Sequence, residues 1–147
     1  PQYEKWGVHR TEKLEKLYGP EYERIVSEEA TEPFWLLNHR REFYDKEDPK
    51  KPGNYLNYDV IWPEGFGEGL SGAEREHEYH QIRKRMAEVG TSEKTFAHYL
   101  EVARTQGLPR TAGGGYGVER MTRFVCRLKD VDEVTVFSRK PFTAAVF

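Results

Sequence analysis

The chain holds one cysteine, Cys126, and two methionines in 147 residues. A lone thiol can neither close an internal disulfide nor build a cysteine zinc cluster. Its helical spacing to apolar neighbours reads as an ordinary packed thiol. No apolar run approaches the ~20 residues that a membrane-spanning helix needs, and no signal-peptide pattern is visible. The expectation is a cytoplasmic protein with no membrane partner. Positive charge is not in excess either: 23 Lys and Arg stand against 25 Asp and Glu, a net charge of −2. That excludes a global basic footprint for nucleic acid. What is present is 33% charged and 37% apolar residues with 14% aromatics, the make-up of one folded globular domain. Many Glu, Lys and Arg with few Asn, Gln, Met and Cys point in the direction of a thermophile.

The chain is organised around Thr111–Leu128. Glycines at 113, 114, 115 and 117 lead straight into helically spaced apolar residues, Val118, Met121, Phe124, Val125 and Leu128. The run is not GxxxxGK[ST], because no Lys-Ser or Lys-Thr follows. It is not GxGxxG, because Arg120 stands where the third glycine belongs. Glycines let a backbone pass close to a flat ligand or a neighbouring strand. An arginine in the first helical turn gains nothing from the helix dipole. Two readings fit: a tight strand-to-helix turn with a surface arginine, or an anion site in which Arg120 faces phosphate oxygens.

The periodicity predicts helix over 10–28 in two stripes, Leu14, Leu17 and Tyr18, then Tyr22, Ile25 and Val26, broken at Gly19-Pro20. Phe34–Leu37 suits a buried strand, and 45–54 a charged loop. Tyr55–Trp62 reads as a strand with Leu56, Tyr58, Val60 and Trp62 on one face and Tyr55, Asn57, Asp59 and Ile61 on the other. Pro63–Gly65 turns into a strand at 66–70, where Glu68 would share a face with Phe66 and Leu70. Ser71 with Glu74 matches a capping box, so a helix is expected to start at Ser71 and run to Gly90 with Tyr79, Ile82, Met86 and Val89 buried. A further helix from about Ser92 carries Phe96, Tyr99, Leu100 and Ala103. Strands adjacent in sequence, interspersed with helices, predict an α+β fold: an antiparallel sheet flanked by helices.

Between Asp59 and Arg75 a second constellation collects Asp59, Glu64, Glu68, Ser71, Glu74 and Arg75. A strand carboxylate and a nearby hydroxyl can give two oxygens to a hard cation such as Mg2+, and Arg75 can grip a carboxylate. The alternative is a capped, charged helix start. His77 and His80 lie at i, i+3, but without a third ligand they read as surface histidines.

Taken together, Asp59-Val-Ile-Trp-Pro-Glu-Gly-Phe-Gly-Glu-Gly-Leu-Ser-Gly-Ala-Glu-Arg-Glu76 and Gly-Gly-Gly-Tyr-Gly-Val-Glu-Arg120 resemble the catalytic domain of class II aspartyl- and asparaginyl-tRNA synthetases. They are most similar to the archaeal branch related to asparagine synthetase of the adenylate-forming type. Arg41-Glu-Phe-Tyr-Asp-Lys-Glu-Asp-Pro49 also looks like that branch. The resemblance covers 30–140, after a helical lead-in at 1–29. It implies Mg2+ on the phosphates of ATP held by Glu68 and Ser71 with Asp59 nearby, and Arg75 with Gly113 at the aspartate or asparagine substrate. It further implies Arg120 at the γ-phosphate, and Gly115 and Gly117 beside adenine. The implied reaction is attack of an amino-acid carboxylate on the α-phosphate with release of pyrophosphate, so Arg120, Glu68 and Arg75 are the catalytic candidates.

The family's first motif and the Arg-x-Glu strand pair of its second have no counterpart here. Arg40-Arg41-Glu42 is the nearest string, in the wrong context. The closing Arg-x-Pro-Gly appears as Arg139-Lys-Pro-Phe142. The chain therefore reads as the C-terminal half of a class II synthetase-like catalytic domain. Either another chain supplies the N-terminal half, or this one is a non-catalytic binding or assembly module. With part of the sheet missing, Trp62, Tyr58, Phe66 and Tyr116 are expected to lie exposed, along with unpaired edges at Tyr55–Trp62 and 113–117, and the chain is expected to form a homo-oligomer or dock on a partner.

Overall fold

The computed structural model describes residues 7–39 and 42–137. Strand β1 (Gly7–Arg10) opens the fold. Helices α1 (Thr11–Tyr18) and α2 (Tyr22–Glu29) follow, joined by a 3-10 turn over Gly19–Glu21. Then come β2 (Phe34–Leu37), β3 (Asn57–Trp62), β4 (Gly67–Glu74), α3 (Tyr79–Val89), α4 (Ala97–Thr105), β5 (Ala112–Tyr116) and α5 (Val118–Cys126). The five strands form one sheet in chain order. β2 to β5 are antiparallel neighbours, as an α+β fold requires, while β1 lies parallel to β2. The helical reading of 10–28 missed β1, whose four residues carry no period of their own. Arg40, Arg41, Arg139 and the apolar tail 142–147 lie outside the described residues.

Two apolar centres hold the fold. Leu14, Phe34, Leu36 and Ile61 pack with Tyr22, Val26 and Ala30, so α1 and α2 cover one side of β2 and β3. Ser27 ties α2 to the β3–β4 hairpin: its hydroxyl donates to the Trp62 carbonyl at 2.8 Å and accepts from the Gly67 amide at 3.1 Å. The second centre joins Phe43 to Ile82 and Met86 of α3 and to Leu100 and Ala103 of α4. Helix α3 ends where expected, on Gly90 at φ 72°, a left-handed cap that glycine adopts without strain. Val89 is exposed and Arg85 takes the buried position instead. Arg85 lies over the Tyr55 ring at 4.5 Å.

The helix expected from Ser71 does not form. Residues 71–74 continue β4, paired with β3 on one side and β5 on the other, and α3 begins only at Tyr79. Ser-x-x-Glu is a local signature, and two flanking strands outweigh it. Glu74 bonds instead to Lys46 at 2.9 Å. A bulge corrects a second expectation. Val60 pairs Leu70 but Ile61 pairs Glu68, so Gly69 is the extra residue in β4. An extra residue reverses the alternation beyond it. Glu68 therefore lies on the face of Ile61 and Asp59, opposite to Leu70.

On the other face aromatic rings lie flat across glycines. Trp62 covers Gly69 and stacks on Phe124 of α5 at 4.8 Å between centroids. A Cβ at Gly72 would come within 2.6 Å of the Tyr58 hydroxyl. Phe66 meets Phe124 edge-on and carries Arg123 over its ring. Trp62, Tyr58 and Phe66 are thus packed internally, and Tyr116 alone of the four expected aromatics is exposed, at 59%. Likewise β3 is the middle strand, whereas β5 is an edge of the sheet. The apolar side of α5 is also open: Val118, Met121 and Val125 are exposed, and so is Cys126, which is not a packed thiol.

These contacts separate the glycines by role. Gly69→Ala drives a methyl into the Trp62 indole and is expected to cost at least about 2 kcal/mol, with loss of the Trp62–Phe124 near-ultraviolet signal. Gly115 has nothing within 4 Å of a Cβ, so Gly115→Ala is expected to change stability by less than about 1 kcal/mol. Urea unfolding of both variants checks the pair.

Candidate functional site

The pairing register builds one row across the sheet: Leu36, Asp59, Ser71 and Gly115. The next row carries Asn57, Ala73 and Gly113. Directly opposite residues share a face, so this side of the sheet presents Asp59, Asn57 and Ser71 beside two bare glycines. The bulge adds Glu68 to the same side. Beyond the end of β4, residues 44–47 run alongside it. Lys46 N–H donates to the Glu74 carbonyl, Glu76 N–H donates to the Tyr44 carbonyl, and Asp45 bridges Arg75. This places Asp45 against Arg75, with the guanidinium Nη1 3.3 Å from Asp45 Oδ1 and its carbon 4.8 Å above the Tyr44 ring.

A polar cavity of about 290 Å³ results, lined by His39, Asp45, Asn57, Asp59, Ser71 and Arg75 among others, with Gly115 also in its wall. Hydrogen bonds tie Asp45, Asn57 and the His39 backbone together in its lining. Asp45 Oδ2 accepts from Asn57 Nδ2 at 2.8 Å. The Asn57 amide also donates to the His39 carbonyl and accepts from the His39 N–H, both at 2.8 Å. His39 Nε2 lies 2.8 Å from Asp59 Oδ2, with both side chains almost fully buried, at 3% and 1% exposure. Buried polar groups need such partners, because each unpaired one carries its full desolvation cost. Asp59 was expected beside a metal. It is buried, lies directly across from Ser71 and has His39 as a neighbour.

Arg120 sits in the first turn of α5, as the spacing indicated, and its Nη1 donates to the Glu68 carbonyl at 2.9 Å. β5 ends one residue earlier, with Gly117 N–H on the Gly69 carbonyl at 3.2 Å. The guanidinium thus takes the next place in the ladder and is fixed beside Glu68. Gly117 permits this, since a Cβ there would press on the Arg120 side chain at 3.3 Å. Gly113 lies beside Arg75, whose Nη2 is 3.7 Å from the position of a Cβ, an ordinary contact distance. Arg75, Gly113, Ser71, Gly115, Glu68 and Arg120 are therefore brought to one side of the sheet. Among the described residues no three His, Cys, Asp or Glu side chains converge as a metal site. The carboxylate of Glu68 and the hydroxyl of Ser71 are hard oxygen donors, and two of them fit a cation such as Mg2+ that otherwise keeps waters and substrate oxygens.

His39, Asp45 and Asn57 were not singled out from the sequence. The alternation did place Asn57 on the same strand face as Asp59 and Ile61, and two polar residues beside Ile61 are the signal that could have marked a buried polar site. A second, apolar cavity of about 420 Å³ lies on the other side of Arg75 and Tyr44, walled by Phe43, Phe96, Tyr99 and Leu108. Burial there, and next the Glu76 carboxylate, push the Tyr99 hydroxyl above its ordinary pKa, against the pull of Arg75.

This architecture matches known proteins. A family model described as tRNA synthetases class II (D, K and N) matches residues 8–141. The asparagine–tRNA ligase of Pyrococcus horikoshii is 36% identical over 126 residues, 84% of this chain and 29% of the relative. The corresponding ligase of Lactobacillus gasseri is 34% identical over 125 residues, again 29% of its length. Among solved structures, asparaginyl-tRNA synthetase from Pyrococcus horikoshii complexed with asparaginyl-adenylate superposes with a TM-score of 0.78 at 28% identity, covering 95% of this chain and 36% of that one. The fold is that of a class II synthetase catalytic domain in part. The chain belongs to the class II tRNA synthetases of the D, K and N group, and it spans about 29% of the length of the curated relatives it matches.

The segment that presents Asp45 is pinned by the Lys46–Glu74 bond. That bond is the largest influence holding the Glu74 carboxyl below the usual carboxylate range; burial opposes it and Arg110 assists. A carboxyl with a depressed folded pKa adds stability above its unfolded value of about 4.3. That stability is lost as pH falls through the folded pKa. Lys46→Met is expected to move the Glu74 titration upward, toward the unfolded value, and to reduce the loss of stability between neutral and acid pH. Carbon-detected NMR titration with urea midpoints at both pH values checks it.

Proposed function

We propose that this chain is the C-terminal part of a catalytic domain that activates asparagine or aspartate with ATP and Mg2+, forming an aminoacyl-adenylate. The observation that carries the reading is the bulge at Gly69, which sets Glu68 on the face of Ser71, Arg75 and the bare glycines. Glu68 and Ser71 would hold Mg2+, which when bound neutralises phosphate charge. Arg120, fixed through the Glu68 carbonyl, keeps its other donors for the γ-phosphate. Gly115 and Gly117 leave the sheet surface open to a flat adenine. Arg75 takes the substrate side chain. The substrate's α-carboxylate oxygen bonds to the α-phosphorus as the bond to the pyrophosphate oxygen breaks, and pyrophosphate leaves with the electron pair. The chain's contribution is positioning and charge stabilisation, with no covalent nucleophile.

The family's α-phosphate arginine belongs to its second motif, so the activity is proposed for the domain completed by an N-terminal half from another polypeptide segment. The exposed Tyr116, Val118, Met121 and Val125 suit such a contact, or a contact between copies of the chain. Amino-acid-dependent ATP–pyrophosphate exchange by the completed domain is the test. Glu68→Gln and Ser71→Ala are each expected to lower exchange about 10²-fold without changing the thermal melt. No exchange from a folded wild type would sink the reading. The alternative, motivated by the second motif's Arg-x-Glu pair having no counterpart in these residues, is a binding or assembly module without catalysis. Calorimetry separates the two: ATP binding that depends on Mg2+ and weakens in Gly115→Ala is expected here, and no ATP binding under the alternative. With a net charge of −2 the chain is also expected to bind tRNA weakly, so a tight, salt-sensitive complex would contradict this account.

A further inference from the structure

We infer that Asp45 is a specificity-determining residue: with Arg75 it forms an acceptor–donor pair that selects a side-chain amide over a side-chain carboxylate. This rests on the reading of Arg75 as the amino-acid ligand. The pair is built rather than incidental. Asp45 is only 6% exposed, and its two oxygens are oriented separately. Oδ1 faces Arg75 Nη1 at 3.3 Å, and Oδ2 accepts from the buried Asn57 amide at 2.8 Å. Asn57 is itself locked by two bonds to the His39 backbone. The carboxylate is therefore held in one orientation at the wall of the polar cavity.

The chemistry of that wall favours one ligand. A guanidinium offers donors alone and a carboxylate acceptors alone. Side by side they match an amide, whose oxygen accepts from Arg75 while its NH2 donates to Asp45. A carboxylate side chain in the same place would meet Arg75 already paired and Asp45 with like charge. The rest of the cavity adds to this. Its charged lining is Glu42, Asp45, Asp59, Arg75 and His39, with His39 facing Asp59. Three carboxylates against one guanidinium make a poor host for a further negative charge. Rejection by an unpaired or like-charged group gives larger discrimination than a change of size.

Ligand-detected NMR on the chain, with L-asparagine, L-aspartate and L-aspartate β-methyl ester, tests this. The ester is neutral but cannot donate a hydrogen bond to Asp45. Asparagine is expected to bind at least about 10-fold more tightly than aspartate, with the ester in between. In Asp45→Asn, confirmed folded by its melt, aspartate is expected to gain and asparagine to lose, bringing the ratio to about one or reversing it. Equal weakening of both ligands in Asp45→Asn would mean that Asp45 only positions Arg75, and would overturn the inference. A wild type that prefers aspartate, or binds the ester as well as asparagine, overturns it without any variant. Binding of none of the three overturns the reading of Arg75 itself, which is a different failure.

Discussion

One extra residue in β4 decides what this sheet can do. Without the bulge at Gly69, strict alternation would put Glu68 and Ser71, three apart in sequence, on opposite faces. The bulge puts both on one face, and the Trp62 indole holds it there by lying over Gly69 and stacking on Phe124. The same irregularity lets β5 end and α5 begin beside Glu68, so that Arg120 replaces a strand partner at the Glu68 carbonyl. Aromatic packing on one face thus sets the polar geometry of the other.

The polar face depends in turn on a buried amide. Asn57 joins Asp45 to His39 by hydrogen bonds, with Arg75 on the other oxygen of Asp45, and the His39 ring lies against Asp59 in the row of Ser71. In a low-dielectric interior each member depends on the others being satisfied, which makes such a network rigid. The short segment at 44–47 closes it, held against the end of β4 by backbone bonds and by Lys46 on Glu74. The two cavities flank this joint and share Arg75 and Tyr44.

Where the sequence reading went astray, a nonlocal contact had overruled a local signal. Ser71-x-x-Glu74 has the form of a helix cap, yet both residues lie in a strand because β3 and β5 bind its two edges. Cys126 and Val125 keep helical spacing, but α5 leaves that side open. Trp62, Tyr58 and Phe66 were expected to lack cover, and glycines or Phe124 provide it.

Of the expected α1 stripe only Leu14 is buried, and Leu17 and Tyr18 are exposed, as is Val89 of α3. The sequence did settle the α+β class, strands β2 and β3, the apolar faces of α2 and α4, the glycine strand running into α5, and the family. These follow from periodicity, from Gly and Pro punctuation, and from two motifs whose chemistry is local. The tertiary structure alone decided the bulge, the parallel β1, the length of β4, and the assembly of His39, Asp45 and Asn57 beneath Arg75. Register and burial arise from which strands meet, and a polar residue destined for a buried network looks in sequence like any solvated one.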